Sequence, residues 1–279
     1  MKIFTSRDAV SSYLITQKSN RKTVGLVPTM GALHAGHLSL IQAAMKKTNV
    51  VVCSIFVNPT QFNDPGDLAR YPRPIESDIR QLEESGCDVL FLPEVSEMYS
   101  ENEEWYIDLK GLDLVLEGKV RPGHYQGVTQ IVKKLFDTIS PDIAFFGQKD
   151  YQQFLVISEM VKQFGLNLNV EMCPIVREAD GLAMSSRNIH LSETEHQNAL
   201  ALNKALVQAK EKFANALVEE VKHEAETFLR ESPGVNVEYF EICDSKTLMA
   251  KTTKGSNGLV ALVAARVGNT RLIDNIILQ

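Results

Sequence analysis

Apolar residues in the first half of the chain gather into short runs, Thr23–Val27, Asn49–Val57, Asp88–Leu92 and Asp142–Phe146, separated by longer stretches with helical spacing. Short apolar runs alternating with helices predict strands of a mostly parallel sheet covered by helices. One helix start is marked by Pro74 followed by Glu76 and Asp78, since proline suits a first turn and acids suit the positive end of the helix dipole. Gly86 fits its C-terminal stop.

The pattern changes near Val176. Ala199, Leu202, Leu206, Ala209 and Phe213 recur at spacings of three and four, and Val218, Val221, Ala225 and Phe228 repeat the pattern, which predicts two amphipathic helices. Three strand-like runs follow, Val235–Ile242, Leu259–Ala264 and Arg271–Leu278, with no helix-length segment between them, so they are expected to pair antiparallel. The chain therefore reads as α/β with a smaller C-terminal α+β domain. The boundary falls near Pro174, giving units 1–175 and 176–279. No internal repeat or low-complexity segment interrupts either.

With 279 residues and 44% hydrophobic content, the chain is long enough to bury a sizeable core and reads as soluble and globular. No apolar run approaches the roughly 20 residues of a membrane span, and Met1–Asp8 lacks the apolar core of a signal peptide, so a cytoplasmic protein away from membranes is expected. Cys53, Cys87, Cys173 and Cys243 are scattered without a Cys-x-x-Cys pair, as for buried free thiols in a reducing compartment. A net charge of −6 argues against a broad nucleic-acid surface. Small anionic ligands are still allowed, because a few placed cations suffice for them.

The chemistry concentrates in a few segments. Pro28-Thr29-Met30-Gly31-Ala32-Leu33-His34-Ala35-Gly36-His37 follows the first apolar run and reads as strand, tight turn and helix start. That arrangement collects backbone N–H groups and the positive end of a helix dipole where an α/β sheet binds phosphate. His34 and His37 are then either capping histidines or donors to a bound nucleotide; zinc is a poor explanation, because no third ligand stands at a recognisable spacing. Gly147-Gln148-Lys149-Asp150-Tyr151-Gln152-Gln153 also follows a strand, so Lys149 is either a solvated loop lysine or a point charge on phosphate. Ser185-Ser186-Arg187, in the polar segment Asp180–Asn188, reads as a triphosphate clamp or as a loop leading a helix. Asn58 and Gln61 end the most apolar strand, where they fit a ligand crevice or ordinary turn chemistry, and Arg121-Pro122-Gly123-His124-Tyr125 offers a further cation in a turn. P-loop, dinucleotide and nucleophile-elbow motifs are absent from the sequence.

Five segments in order, Pro28–His37, Phe56–Phe62, Asp67–Arg73, Gly147–Gln153 and Gly181–Asn188, together resemble the pantoate–β-alanine ligase family. Its wider superfamily, the nucleotidyltransferases and class I aminoacyl-tRNA synthetases, carries a His-x-Gly-His signature that His34–His37 matches. The resemblance implies a Rossmann-like parallel sheet with helices on both faces, binding ATP and pantoate, and a C-terminal domain that acts as a lid. It implies condensation of (R)-pantoate with β-alanine through a pantoyl adenylate, with ATP and Mg2+, in a homodimer.

Carried over residue by residue, the resemblance places Met30, Gly31, Ala32, Leu33, His34, Ala35, Gly36 and His37 at ATP, with His37 the proton donor. Gly147, Gln148, Lys149 and Asp150 form a second ATP loop, in which Lys149 neutralises charge and Asp150 accepts from the ribose. Val176, Met184, Ser185, Ser186 and Arg187 make further ATP contacts. Gln61 and Gln153 bind pantoate, and Asp78 is a candidate magnesium partner. Gln148 and Ala179 depart from the Glu and Pro common in the family. The competing enzyme is a nucleotidyltransferase that moves AMP or CMP to a coenzyme precursor.

Overall fold

The computed structural model describes residues 1–101, 103–255 and 258–278. The chain forms two compact units, Met1–Gly147 with Gln152–Pro174, and Gln148–Tyr151 with Ile175–Gln279. A single cut after residue 175 thus becomes a division in which four residues near position 150 group with the second unit.

The first unit holds six strands, β1 (Lys2–Phe4), β2 (Val24–Thr29), β3 (Val50–Ile55), β4 (Val89–Phe91), β5 (Ile143–Gly147) and β6 (Asn169–Cys173). They lie in the order β1-β4-β3-β2-β5-β6, and every neighbouring pair is parallel. Between them run α1 (Arg7–Ser19), α2 (Ala35–Met45), α3 (Pro65–Arg70), α4 (Ile75–Ser85), α5 (Val95–Met98), α6 (Leu116–Val120), α7 (His124–Ile139) and α8 (Tyr151–Gln163). Val27, Val51, Cys53, Ile55 and Leu90 pack with Leu40, Ile41 and Ala44 of α2 and Leu82 of α4. The alternate residues Leu26, Val52, Phe91 and Ala144 are also fully buried, so both faces of the sheet are covered, which is why its strands read as continuous apolar runs.

Strand order reverses at β2. The chain moves outward through β3 and β4 on one side and returns to β5 on the other. In open α/β sheets such a switch point leaves a crevice outside the carboxyl ends of the strands. Pro28 widens it. The predicted strand stopped at Val27, but β2 runs through Pro28 to Thr29. The Val24 carbonyl accepts from the Asp142 N–H at 2.8 Å, so Val24 faces β5, and by alternation Leu26 and Pro28 face it too. Proline has no N–H to give. The β2–β5 register accordingly covers only Gly25↔Ile143 and Leu26↔Ala144, whereas β2–β3 pairing, on the other side, continues to Thr29↔Ile55.

The second unit holds α9 (Glu193–Phe213) and α10 (Val218–Glu231), followed by β7 (Val235–Asp244), β8 (Leu259–Val267) and β9 (Thr270–Ile277). The strands pair antiparallel in sequence order. Leu202, Leu206 and Phe213 of α9 and Val221 and Leu229 of α10 share a core with Phe240, Ile242 and Val263. Ser192 and Glu195 form a reciprocal capping box that starts α9 ahead of its apolar stripe. All four cysteines are free and buried, and no helix among the described residues is long and apolar enough to cross a membrane.

Candidate active site

The turn after β2 is built tightly. Gly31 and Ala32 both have positive φ, 81° and 49°. Thr29 Oγ1 accepts from the Gly31 N–H at 3.1 Å and donates to the Ser54 carbonyl at 2.8 Å. From the first turn of α4 the fully buried Asp78 reaches under this loop, its Oδ2 accepting from the Ala32 N–H at 2.9 Å and its Oδ1 from the Leu33 N–H at 2.8 Å. A Cβ at position 31 would lie 3.0 Å from both Asp78 Oδ2 and Ile55 Cγ2, and its φ favours glycine as well. Burial raises the Asp78 pKa, and the two backbone donors oppose that rise. Each carboxylate oxygen thus accepts from backbone, which gives Asp78 a structural role beneath the turn.

That turn delivers the chain into α2, and His34 is its N-cap. His34 Nδ1 accepts from the Gly36 N–H at 3.1 Å, and His37 Nδ1 accepts from the His34 N–H at 3.3 Å, a capping box made from two histidines. The capping and functional readings of this pair therefore do not exclude each other. A ring nitrogen that accepts carries no proton, so each neutral ring keeps its proton on Nε2. Both rings are half-buried, and their centroids lie 4.0 Å apart. The result is a matched pair of Nε2–H donors at a helix N-terminus beside the switch point. Met30 is half-buried at the start of the turn, and Ala35 and Gly36 form the first turn of α2.

Beyond β3 a buried polar cluster fixes Gln61. Asn58 is 1% exposed; its Nδ2 donates to Gln61 Oε1 and to the Gly127 carbonyl, both at 3.1 Å, and its Oδ1 accepts from the Tyr99 hydroxyl at 2.6 Å. Burial pushes the Tyr99 phenol up to about 12, so it stays a donor. Asn58 therefore serves the fold rather than an open crevice. Gln61 Nε2 contacts Met30 Sδ at 3.1 Å, tying two predicted site residues together. The Gln61 carbonyl accepts from His124 Nδ1 at 2.8 Å, which leaves His124 Nε2 to accept from Arg121 at 3.1 Å. Arg121 and His124 thus brace the Gln61 backbone. α7 passes so close that a Cβ on Gly127 would lie 2.5 Å from the Thr60 carbonyl oxygen.

The adjacent glutamines of α8 differ sharply. Gln152, 2% exposed, donates to the carbonyls of Leu112 and Val115 at 2.6 and 2.9 Å and accepts from the Glu117 N–H at 3.1 Å. It pins a loop. Gln153 is half-buried, and its side-chain amide has no hydrogen-bond partner among the described residues.

In the second unit, Gln148–Asp150 forms a short 3-10 turn directly after Gly147, with Lys149 half-buried and Asp150 exposed. Val176 and Met184 are cross-strand partners in a tight hairpin, joined by the Met184 N–H to the Val176 carbonyl at 3.0 Å and by an Arg177↔Ala183 bridge. Gly181, with φ 100°, makes the turn, and Asp180 Oδ2 pairs with His196 at 2.7 Å. Ser185 then caps the short helix Ser186–His190, its Oγ accepting from the Arg187 N–H at 3.3 Å. Asp274 and Asn275, which the sequence pattern did not single out, complete this unit's polar framework. Two adjacent polar residues inside the apolar Leu272–Ile277 run were the available signal.

A glycine turn at the switch point of a parallel sheet, leading into a helix start that carries paired Nε2–H donors, defines an α/β protein of the nucleotide-binding class. The family model for Pantoate-beta-alanine ligase matches residues 2–277, and the chain belongs to that family. It is 46% identical over 277 residues to the pantothenate synthetase of Bacteroides thetaiotaomicron, covering 99% of this chain and 98% of the relative. Against that of Koribacter versatilis the identity is 48% over 261 residues, or 92% and 89% of the two chains. The crystal structure of pantothenate synthetase from Thermus thermophilus superposes with a TM-score of 0.94 at 40% identity, covering 100% of this chain and 99% of the other. That of the Francisella tularensis ligase, complexed with beta-gamma ATP and beta-alanine, gives 0.81 at 35%, covering 100% and 98%.

Proposed function

We propose that the protein condenses (R)-pantoate with β-alanine, consuming ATP and releasing AMP and pyrophosphate. The observation that carries this reading within the family is the His34–His37 capping box, which holds two Nε2–H donors at the head of α2. A carboxylate does not acylate an amine unaided, because its oxygen is a poor leaving group. In the first step a pantoate carboxylate oxygen attacks the α-phosphorus of ATP and the bond to pyrophosphate breaks. In the second, the β-alanine amine attacks the acyl carbon, AMP leaves and the amine loses a proton.

Charge builds on phosphate oxygens during the first step, and donors already in place stabilise it without reorganising. His37 is the principal donor and His34 assists. The turn Met30–Leu33, with Ala35 and Gly36, lines the nucleotide, and the α2 dipole favours its negative charge. Lys149 adds a point charge on phosphate, Asp150 accepts from the ribose, and Gly147 and Gln148 shape that loop. Val176, Met184, Ser185, Ser186 and Arg187 supply the remaining ATP contacts, the last as a guanidinium suited to phosphate. Gln61 and Gln153 take pantoate, Gln153 with an uncommitted amide. ATP enters as its magnesium complex, and the second unit acts as a lid that keeps water from the acyl adenylate.

The four buried thiols suit a cytoplasmic setting. A homodimer follows from the family resemblance, and sedimentation equilibrium measures it. Purified protein with ATP, magnesium and pantoate should release pyrophosphate, and adding β-alanine should give pantothenate with free AMP by mass spectrometry. AMP retained covalently on the final product would mean a nucleotidyltransferase instead, and absence of product with all three substrates would overturn the assignment.

A further inference from the structure

Asn275 lies on β9, 2% exposed. A side-chain amide offers two N–H donors and a carbonyl acceptor. Here all three functions serve the loop after β5. Nδ2 donates to the Gln148 carbonyl at 2.9 Å and to the Lys149 carbonyl at 3.0 Å, and Oδ1 accepts from Gln148 Nε2 at 3.1 Å. Gln148 is thereby engaged by the protein itself, and the two peptide carbonyls that flank the Lys149 Cα are held from one point.

The neighbouring Asp274, 4% exposed, holds the Arg177 guanidinium in a two-pronged pair at 2.7 and 3.1 Å. Arg177 NH1 also donates to the Gly181 carbonyl at 3.1 Å, inside the hairpin that leads to Ser185–Arg187. Asp274 Oδ1 accepts the Asn275 N–H at 2.7 Å, locking the two residues together. Burial raises the Asp274 pKa; Arg177 opposes that rise most strongly, and Lys149 is among the charges that also oppose it. Lys149 thus lies within the field of Asp274. Successive strand residues point to opposite faces, so adjacent buried polar side chains are foreign to an ordinary strand core.

We propose that Asn275 and Asp274 are positioning residues, Asn275 fixing the backbone from which Lys149 projects and Asp274 fixing, through Arg177, the hairpin that presents Ser185–Arg187. One strand then sets both cationic segments, Asn275 through backbone carbonyls and Asp274 through Arg177. This assignment rests on Lys149 acting at the ATP phosphates, and its test separates the two ideas. Asn275→Asp keeps the shape of the side chain but sets a carboxylate oxygen against two carbonyl oxygens, and Asn275→Ala removes the grip without repulsion. Pyrophosphate release, with kcat and the KM values for ATP and pantoate, is measured beside thermal melting for each variant and for Lys149→Ala.

Both Asn275 variants should lose on the order of tenfold to a hundredfold in kcat, the scale of a misplaced catalytic group, with the pantoate KM unchanged. In a Lys149→Ala background Asn275→Ala should cost nothing further, since it acts through the missing side chain. Full activity in Lys149→Ala would overturn the role of Lys149 and this assignment with it. Loss in Lys149→Ala but none in Asn275→Ala would overturn the positioning role alone, as would losses that simply multiply. Failure of both Asn275 variants to fold would make Asn275 a stability residue and overturn the proposal.

Discussion

Asp78→Asn tests whether a buried carboxylate organises the turn after β2. Asp78 accepts two backbone N–H groups with two oxygens. Asparagine keeps one oxygen and turns the other into an NH2 group facing an N–H donor. One charge-assisted bond is lost, and the backbone N–H and the new NH2 group are left as buried donors facing each other, on the order of 2–4 kcal/mol together. The single tryptophan, Trp105, lies in the same unit and donates to Thr129 at 3.0 Å, so its fluorescence during urea unfolding reports on that unit. The variant should unfold at lower urea and, because Ala32 and Leu33 lead directly to the His34 cap, release pyrophosphate more slowly.

The pH dependence follows from linkage. Burial raises the Asp78 pKa in the folded state, so the native protein holds this proton more tightly than the unfolded chain. This proton-linked term, separate from the two backbone bonds, is fully present below the ordinary unfolded value and is lost as pH rises through the raised one. Asparagine does not titrate. The stability gap between wild type and Asp78→Asn should widen as pH falls from neutrality across that window. An unchanged urea midpoint with full activity would refute the reasoning, and so would a gap that narrows toward acid.

His37→Ala should cut pyrophosphate release by on the order of a hundredfold or more, the scale for removing a transition-state donor. His34→Ala should add to its kinetic loss about 1 kcal/mol of stability as a cap is removed, readable by urea titration. Gly127→Ala, whose new Cβ would lie 2.5 Å from the Thr60 carbonyl oxygen, should destabilise by roughly 1–3 kcal/mol and raise the pantoate KM as the 58–61 segment shifts. The α8 glutamines should separate: Gln152→Ala strands a buried loop and costs on the order of 1–3 kcal/mol of stability, while Gln153→Ala raises the pantoate KM with its melting temperature unchanged.

Strands β2 to β5 were legible because a sheet covered on both faces demands uninterrupted apolar runs. The edge strands β1 and β6 were not. Lys2–Phe4 is short and half-exposed, and Asn169–Cys173 places Glu171 where it pairs with Lys47 at 2.7 Å, so neither forms such a run. Helix α4 was legible at both ends, with Pro74 before it and Gly86, at φ 83°, after it. The strand–turn–helix context likewise pointed to His34 and His37. The grip of Asp78 on the 31–33 turn was not legible, because an acid in the first turn of a helix already has a local explanation in the dipole and only the tertiary fold brings it under that turn. Asn275 lies 126 residues from the Lys149 carbonyl it holds, beyond any local pattern.

Pro28 sets this enzyme against its own stability. A residue with an N–H there would let β2 continue its ladder with β5, worth about 0.5–1.5 kcal/mol for one bond. A search that ranked substitutions by folding alone would therefore favour Pro28→Val, and the better-paired sheet would narrow the opening that the glycine turn and the histidines border. The same reasoning marks Pro28 as a position to exempt when this scaffold is engineered for heat resistance, because there added rigidity and retained turnover pull in opposite directions.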